Sequence, residues 1–330
     1  MLRSLSSNYL YAVGAAALAP ALAANGSLTS LNLAGNQLCG LDFRGNGTYT
    51  ADGITAIADA LRVNGSLTSL DLSNNYLTDE GVSAVCEAIQ SNKETKLASL
   101  NFGNTGVGPV GANALAAMVA VTGSLTSLDL SNNQLCGVTT WGGTYTAEGI
   151  TAIADALRVN GSLKSLNLSN NVLCGMTRFG GTYTAEGIPA IADALRVNGA
   201  LTVTNLMQNE LDAESAKMLA EVAKQKDISL CGIQRDQTTA YFSRQGLKPP
   251  DAILLASDLS QAGVTGSLTE LSIYGNRVGD EGVRAICEAI QSNKETKLAS
   301  LNFGNTGVGP VGANALAAMV AVTGALTEME

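Results

Sequence analysis

The chain has 330 residues, of which 46% are apolar and 14% charged, and this composition excludes an intrinsically disordered protein. It contains no histidine, which excludes Ser-His-Asp and Cys-His catalytic arrangements and histidine-bearing zinc sites. A net charge of −9 argues against nucleic acid or an anionic membrane as the partner, so a charged partner should be basic.

The first element in chain order is an apolar segment, residues 10–24, which contains the sequence Ala21-Leu22-Ala23 near its end. A short apolar run with an A-x-A sequence is typical of a cleaved secretory signal. However, residues 13–31 align without gaps with residues 110–128. This self-similarity favours a helix that belongs to a repeat, and the signal peptide is the alternative.

From residue 28 onward the chain repeats the pattern L-x-x-L-x-L-x-x-N-x-L. Clear copies begin at Leu28, Leu67, Leu125 and Leu163, and weaker copies begin at Leu97, Leu201, Gln237, Leu268 and Leu298. Copies spaced 28–39 residues apart predict a repeat architecture. We expect one array, residues 1–330, with about nine full repeats and a partial repeat at each end. Such ends are expected to continue into a longer array or to pack against a larger assembly.

Each repeat is predicted to fold as one short strand followed by one helix. Leu70 and Leu72 alternate with polar residues as in a half-buried strand, whereas apolar residues in segment 54–61 recur with helical spacing. No single strand–helix unit buries its own apolar faces, so neighbouring repeats must stack. Because strands pack about 4.8 Å apart and helices about 8–10 Å apart, the stack should bend with the strands on its inner wall.

These repeats resemble leucine-rich repeats of the ribonuclease-inhibitor-like type, which also occur in NOD-like receptors and in the Ran GTPase-activating protein. The resemblance covers nearly the whole chain. It implies an α/β solenoid shaped as a curved horseshoe, with a parallel β-sheet on the concave side and helices on the convex side. The motif is specific for this fold and does not specify a function.

The six cysteines do not form any C-x-x-C pair, so a zinc site is not expected. We expect free thiols in a reducing, cytoplasmic location, with a Cys136–Cys174 disulfide as the alternative. No catalytic pair or nucleophile–base arrangement can be assembled from the sequence. We therefore expect a protein that is not an enzyme and that binds neither a cofactor nor a metal.

Three glycine-rich insertions carry an unusual share of the aromatic residues. Phe43, Trp141 and Phe179 lie in these insertions, with Arg44 and Arg178 beside them. Aromatic residues and arginine supply much of the binding energy at protein interfaces, and insertions in solenoids collect along one edge, so all five are candidate contacts. The tyrosines of the repeated G-T-Y-T sequence are either further contacts or structural plugs beneath the loops.

The outward positions of the predicted strands are mostly small and polar. Asp71, Asp129 and Glu270 are acidic exceptions, and Tyr274 is an aromatic one. If this wall binds a partner, these four residues are candidate contacts, and the carboxylates favour a cationic patch on the partner. The alternative is that the polar side chains only keep the exposed face solvated.

The function expected from these features is a non-enzymatic scaffold that binds a protein partner through the concave sheet face and the edge loops. One alternative is a regulator of a GTPase, by similarity to the Ran activator. Another is a secreted, glycosylated surface protein, in which the N-x-S/T sequons would carry glycans. Three of the sequons, those at Asn25, Asn64 and Asn160, however, coincide with the Asn-Gly that ends a repeat helix, which favours a structural role.

Overall fold

The computed structural model describes residues 4–42, 45–139, 142–177 and 179–330. The chain divides into two compact units, the first unit (Met1–Leu201) and the second unit (Thr202–Glu330). Each unit is a stack of repeats in which a short parallel strand is in most cases followed by a helix, as the sequence predicts. Among the described residues, no helix is both long and apolar enough to span a membrane.

In the first unit, strands β1–β5 pair in parallel and in register, and consecutive helices pack side by side. A short antiparallel hairpin, β6–β7, lies in an insertion after β5. The elements are α1 (Tyr11–Ala24), β1 (Ser30–Asn32), α2 (Asp52–Leu61), β2 (Ser69–Asp71), α3 (Thr78–Ser91), β3 (Ser99–Asn101), α4 (Pro109–Val121), β4 (Ser127–Asp129), α5 (Glu148–Val159), β5 (Ser165–Asn167), β6 (Met176–Thr177), β7 (Gly180–Gly181) and α6 (Ile188–Val197).

In the second unit, strands β9–β12 also pair in parallel and in chain order. Helix α8 packs between α7 and α10, and α10 packs against α11. The elements are β8 (Val203–Asn205), α7 (Ala213–Lys226), β9 (Thr239–Tyr241), α8 (Pro249–Leu259), α9 (Ala262–Thr265), β10 (Glu270–Ser272), α10 (Gly279–Ser292), β11 (Ser300–Asn302), α11 (Pro310–Val320) and β12 (Glu328–Met329).

The leucines of the repeat pattern form the core of each unit. The middle residue of each three-residue strand points inward, and in the first unit all five are fully or almost fully buried leucines. The helical apolar stripe meets them from the other side, as the burial of Ile54 and Ile57 shows. This arrangement confirms the predicted stack, in which one repeat covers the apolar face of the next.

In most repeats a buried asparagine forms a hydrogen bond to the preceding repeat, whereas the repeats of β3 and β11 have a threonine at this position. The Asn75 side-chain amide donates to the carbonyls of Leu72, in its own repeat, and Leu33, in the preceding repeat, both at 2.9 Å. Its Oδ1 accepts a hydrogen bond from the backbone N–H of Asn36 at 2.8 Å. Asn75 therefore stabilises its turn and satisfies buried backbone groups that would otherwise be costly.

The second unit departs from the predicted repeat pattern at residues 228–233. Ser229 bridges Val203 in parallel, so this segment pairs as an additional strand. Strand β9 then begins at Thr239 without a helix in between. The sequence pattern had suggested one long repeat between Leu201 and Gln237, because the segment I-S-L-C-G-I lacks the spacing of the leucine motif.

The N-terminal segment continues the repeat geometry of the first unit. The backbone N–H groups of Leu5 and Ser7 donate to the carbonyls of Asn32 and Ala34, and α1 packs against α2. This is the arrangement that the alignment of residues 13–31 with a later repeat predicts.

Candidate protein-binding surface

The outward residues of β1–β5 form a polar surface on the first unit, which we call the first strand face. They are partly exposed, whereas the leucine between each pair is buried. Their third-position residues stand in one row across the sheet, because the strands are in register. This row consists of Asn32, Asp71, Asn101, Asp129 and Asn167.

Each residue in that row also ends its own strand. Oδ1 of Asp71 accepts the backbone N–H of Ser73 at 3.0 Å, and Oδ1 of Asp129 accepts that of Ser131 at 2.8 Å. The other carboxylate oxygen of Asp129 accepts a hydrogen bond from the Asn167 side chain at 3.0 Å. The two aspartates nominated from the sequence therefore lie on the strand face, but both also have a local structural role.

The strand face of the second unit carries larger side chains, which we call the tyrosine patch: Tyr241, Arg244, Glu270 and Tyr274. Tyr241 is 57% exposed, and Glu270 lies diagonally opposite it on β10, where its carboxylate can accept a hydrogen bond from the Tyr241 hydroxyl. This bond is the main cause of a raised pKa for Tyr241. The guanidinium of Arg244 lies over the Tyr274 ring, 5.3 Å from the ring centroid, in a cation–π contact.

A glycine on the neighbouring strand makes room for one of these rings. A Cβ atom at Gly304 would come within 2.9 Å of the Tyr274 ring, so the ring lies close against the backbone there. The equivalent Gly103 of the first unit faces only the side chains of Asn101, Asp129 and Ser131. The same glycine therefore borders a polar surface in one unit and an aromatic ring in the other.

Sequence reasoning found Glu270 and Tyr274 but missed Tyr241 and Arg244. The repeat that contains them, T-T-A-Y-F-S-R-Q-G, has lost the leucines that mark the strand. Aligning this repeat with T-S-L-D-L-S-N-N places Tyr241 at the position of Asp71, which is the signal that could have identified it.

The insertions of the first unit contain both structural and exposed aromatic residues. The hydroxyl of Tyr49 donates to the Leu77 carbonyl at 3.0 Å, and that of Tyr145 donates to the Leu173 carbonyl at 3.1 Å. These two tyrosines are therefore plugs beneath their loops. Phe179, by contrast, is 61% exposed. The other candidates in the insertions lie outside the described residues: Phe43, Arg44, Trp141 and Arg178.

Two neighbouring insertions of the first unit border an open cleft of about 710 Å³. Val138, Tyr145 and Phe179 supply apolar surface to it. Much of the remaining lining is glycine backbone, and Gly143 and Gly181 adopt φ values of 131° and 136° that favour glycine. The cleft thus displays Phe179 on a loop whose shape depends on glycine.

All six cysteines are buried thiols outside any disulfide bond. Burial raises the pKa of Cys39, Cys136 and Cys287 to about 12 and leaves very little thiolate at neutral pH. Within the described ranges, no three histidine, cysteine, aspartate or glutamate residues are grouped so that they could hold a metal ion. These thiols are therefore poorly suited to nucleophilic chemistry.

Two of the sequon asparagines are used inside the stack. Nδ2 of Asn64 donates to the Leu22 carbonyl at 2.8 Å, and Oδ1 of Asn64 accepts the N–H of Leu67 at 2.9 Å. Nδ2 of Asn160 likewise donates to the carbonyl of Val119 at 2.7 Å. Both asparagines are buried, so neither Nδ2 is accessible for a glycan, and the geometry favours the structural interpretation of these sequons.

Comparisons with known proteins agree with this repeat geometry. A leucine-rich-repeat family model matches residues 63–86 and 267–287, and a second one matches residues 124–142. No curated protein matches the chain in sequence.

Two solved structures are also similar to the chain. One is a tropomodulin C-terminal domain of Caenorhabditis elegans, at 15% identity and a TM-score of 0.41, covering 52% of this chain and 92% of that domain. The other is the leiomodin-1 actin-binding site 2, at 16% identity and a TM-score of 0.35, covering 64% of this chain and 87% of that one. Because both TM-scores are below 0.5, neither similarity carries a functional argument. The matched motifs and the stacked strand–helix units together establish that this chain is built of leucine-rich repeats, consistent with the ribonuclease-inhibitor-like type.

Proposed function

We propose that this protein is a non-enzymatic scaffold that binds a partner protein through its exposed strand surfaces. The observation that carries the proposal is the first strand face, on which each of five strands presents one polar side chain in the same row. Strands about 4.8 Å apart make this row roughly 20 Å long. Repeat proteins use extended surfaces of this kind for binding.

The charge of the first strand face favours a basic partner. The outward positions of β1–β5 include the carboxylates of Asp71 and Asp129 and no lysine or arginine. Complementary charge speeds association and excludes partners of like charge. The buried thiols outside any disulfide bond fit a reducing compartment such as the cytoplasm, and we include that location in the proposal.

Two matched variants test the strand face. Ser99→Arg places a long cation on β3, whereas Ser91→Arg places the same side chain at the exposed end of α3 in the preceding repeat. The wild-type chain and both variants are used as baits in an extract of the native source, and retained proteins are quantified by mass spectrometry. We expect a protein that wild type and Ser91→Arg retain equally and that Ser99→Arg retains at least about tenfold less, a loss of about 1.4 kcal/mol.

Circular dichroism first confirms that both variants are folded. A set of retained proteins that Ser99→Arg leaves unchanged would contradict binding through the first strand face. Phe179→Ala in the same experiment tests the edge loops, because truncating an exposed aromatic contact should weaken retention if that loop touches the partner.

A further inference from the structure

The tyrosine patch is the part of the strand surface that differs most from its surroundings. Tyr241 takes the position of Asp71 and Tyr274 takes that of Ser73 in the aligned repeats. Exposed tyrosines close to a carboxylate are features of energetically important contacts rather than of a solvated polar face. The patch therefore indicates a specific type of partner side chain.

A contact within the chain shows that a tyrosine of this patch can bind a guanidinium group. The Arg244 guanidinium already lies over the Tyr274 ring, 5.3 Å from its centroid. The second ring, that of Tyr241, is 57% exposed, and its hydroxyl can donate a hydrogen bond to Glu270. The register of β9 and β10 places the Glu270 carboxylate diagonally opposite this ring. One tyrosine thus carries a guanidinium from the chain itself, and the other is open to one from a partner.

We propose that the tyrosine patch binds an arginine side chain of a partner protein, with the guanidinium stacked on Tyr241 and paired with the Glu270 carboxylate. The inference rests on the proposed scaffold function and specifies the chemistry of the partner. Arginine suits this site better than lysine, because its planar guanidinium both stacks on an aromatic ring and bonds a carboxylate through two N–H groups.

The surrounding charge supports a cationic occupant. Glu270 and Glu328 lie in the same register row, on either side of Ser300. The cation of Arg244 is engaged by Tyr274, and the chain as a whole has a net charge of −9. A carboxylate from a partner would instead approach Glu270 and be repelled.

The test uses the full chain and three peptides of equal length, hexa-arginine, hexa-lysine and hexa-glutamate, with binding measured by isothermal titration calorimetry. We expect hexa-arginine to bind at least about fivefold more tightly than hexa-lysine, and hexa-glutamate not to bind. Tyr241→Ser and Glu270→Gln should each weaken hexa-arginine binding about tenfold. Tyr241→Phe keeps the ring and should stay within about threefold of wild type.

Two further variants make the test specific. Glu87→Gln removes one exposed carboxylate from α3, outside both strand faces, and should leave hexa-arginine binding within about twofold of wild type. Arg244→Ala exposes the Tyr274 ring and removes a like charge, so it should strengthen binding about threefold.

Equal affinities for the arginine and lysine peptides would overturn the proposal. Equal losses in Glu87→Gln and Glu270→Gln would also overturn it, because they would show only general attraction to an acidic protein. These results are independent of the Ser99→Arg experiment. If Ser99→Arg loses the partner protein but hexa-arginine does not bind the wild-type chain, the proposed arginine site is wrong and the proposed scaffold function still stands.

Discussion

The two units satisfy the backbone N–H groups at their turns with different acceptors. In the first unit, the turn N–H of Asn74 donates to the Gly103 carbonyl, and the carboxylates that accept turn N–H groups there, such as those of Asp71 and Asp79, are only half-buried. In the second unit, the equivalent N–H of Gln208 donates to the carboxylate of Asp251 at 2.7 Å. The comparison shows that a regular repeat array needs no buried charge, whereas an interrupted one uses it to replace missing partners.

The interruption lies where the helix-less segment 228–233 meets α8. The Asp258 carboxylate, which is fully buried, accepts hydrogen bonds from the Leu230 N–H at 2.7 Å, the Cys231 N–H at 3.1 Å and the Ser229 hydroxyl at 2.7 Å. A single acidic side chain therefore satisfies three donors in a segment that lacks a regular strand–helix repeat of its own. The tyrosine patch begins on the next strand, β9.

The largest expected loss of stability comes from truncating a buried leucine in the middle of a strand, a position found in both units. Leu100 lies between Leu70 and Leu128 in register, whereas Leu271 lies between Ala240 and Leu301. We expect Leu100→Ala and Leu271→Ala each to destabilise the protein by about 2–5 kcal/mol, because each leaves a cavity in the core. Leu100→Ala should be the more costly, since Leu100 has a leucine on both sides. Urea unfolding monitored by circular dichroism measures both, and a larger loss in Leu271→Ala would contradict the expected order.

The second prediction concerns the pH dependence of folding stability, to which the buried carboxyl group of Asp258 in the second unit should contribute. Burial raises the pKa of Asp258 from 3.8 to about 7, so between these values the folded protein holds a proton that the unfolded chain has released. Stability from this group is therefore fully present below about pH 4 and is lost as the pH rises through about 7. This difference between the folded and unfolded pKa values of Asp258 corresponds to at most about 4 kcal/mol in the free energy of unfolding.

Asp258→Asn should flatten the fall in stability between pH 5 and pH 8, as measured by urea unfolding at each pH. Burial also raises the pKa of Asp251, which contributes a slope of the same sign, so the variant should reduce the dependence without abolishing it. Asp71→Asn on the first strand face is the control and should leave the slope unchanged. An identical slope in wild type and Asp258→Asn would show that this carboxyl group does not titrate as described.

The sequence predicted the regular parts of the fold better than the irregular ones. The spacing of leucines around Leu67–Leu77 is enough to predict a strand, a turn asparagine and the stacking of neighbouring repeats. Segment 228–233 was missed because its pairing depends on tertiary hydrogen bonds, including those to Asp258, and not on a local pattern. Tyr241 was missed for a related reason, since its repeat has lost the leucines by which the strand positions are counted.

The site was predicted less completely than the fold. Side-chain type and position placed Asp71, Glu270 and Tyr274 on a strand face, but could not show which of their atoms are used within the chain. The bond between Tyr241 and Glu270 and the stacking of Arg244 depend on side-chain conformations across neighbouring strands. The sequence alone does not determine such conformations.

The third prediction tests the neutral asparagine connections of the first unit. Asn75→Ala leaves the N–H of Asn36 and the carbonyls of Leu33 and Leu72 without their buried partner, and should cost about 1–3 kcal/mol. Asn75→Thr should cost less, because the hydroxyl of Thr105, at the equivalent position, donates to a carbonyl of its own repeat at 2.7 Å. Thermal unfolding of both variants measures the difference. Equal losses would show that the amide bonds between repeats do not account for the effect.

The smallest expected loss of stability concerns Asp71, which stands in the first strand face where the aligned residue of the second unit is Tyr241. Asp71→Ala removes the acceptor of the Ser73 N–H and should cost about 1 kcal/mol, whereas Asp71→Asn keeps an acceptor and should change stability by less than about 0.5 kcal/mol. Asn101 already forms the same bond in the next repeat, at 2.8 Å. If Asp71→Asn is stable yet weakens partner capture, the charge of Asp71 acts in binding and its geometry acts in folding. If Asp71→Asn changes neither property, the carboxylate of Asp71 is interchangeable with the asparagines of the same row.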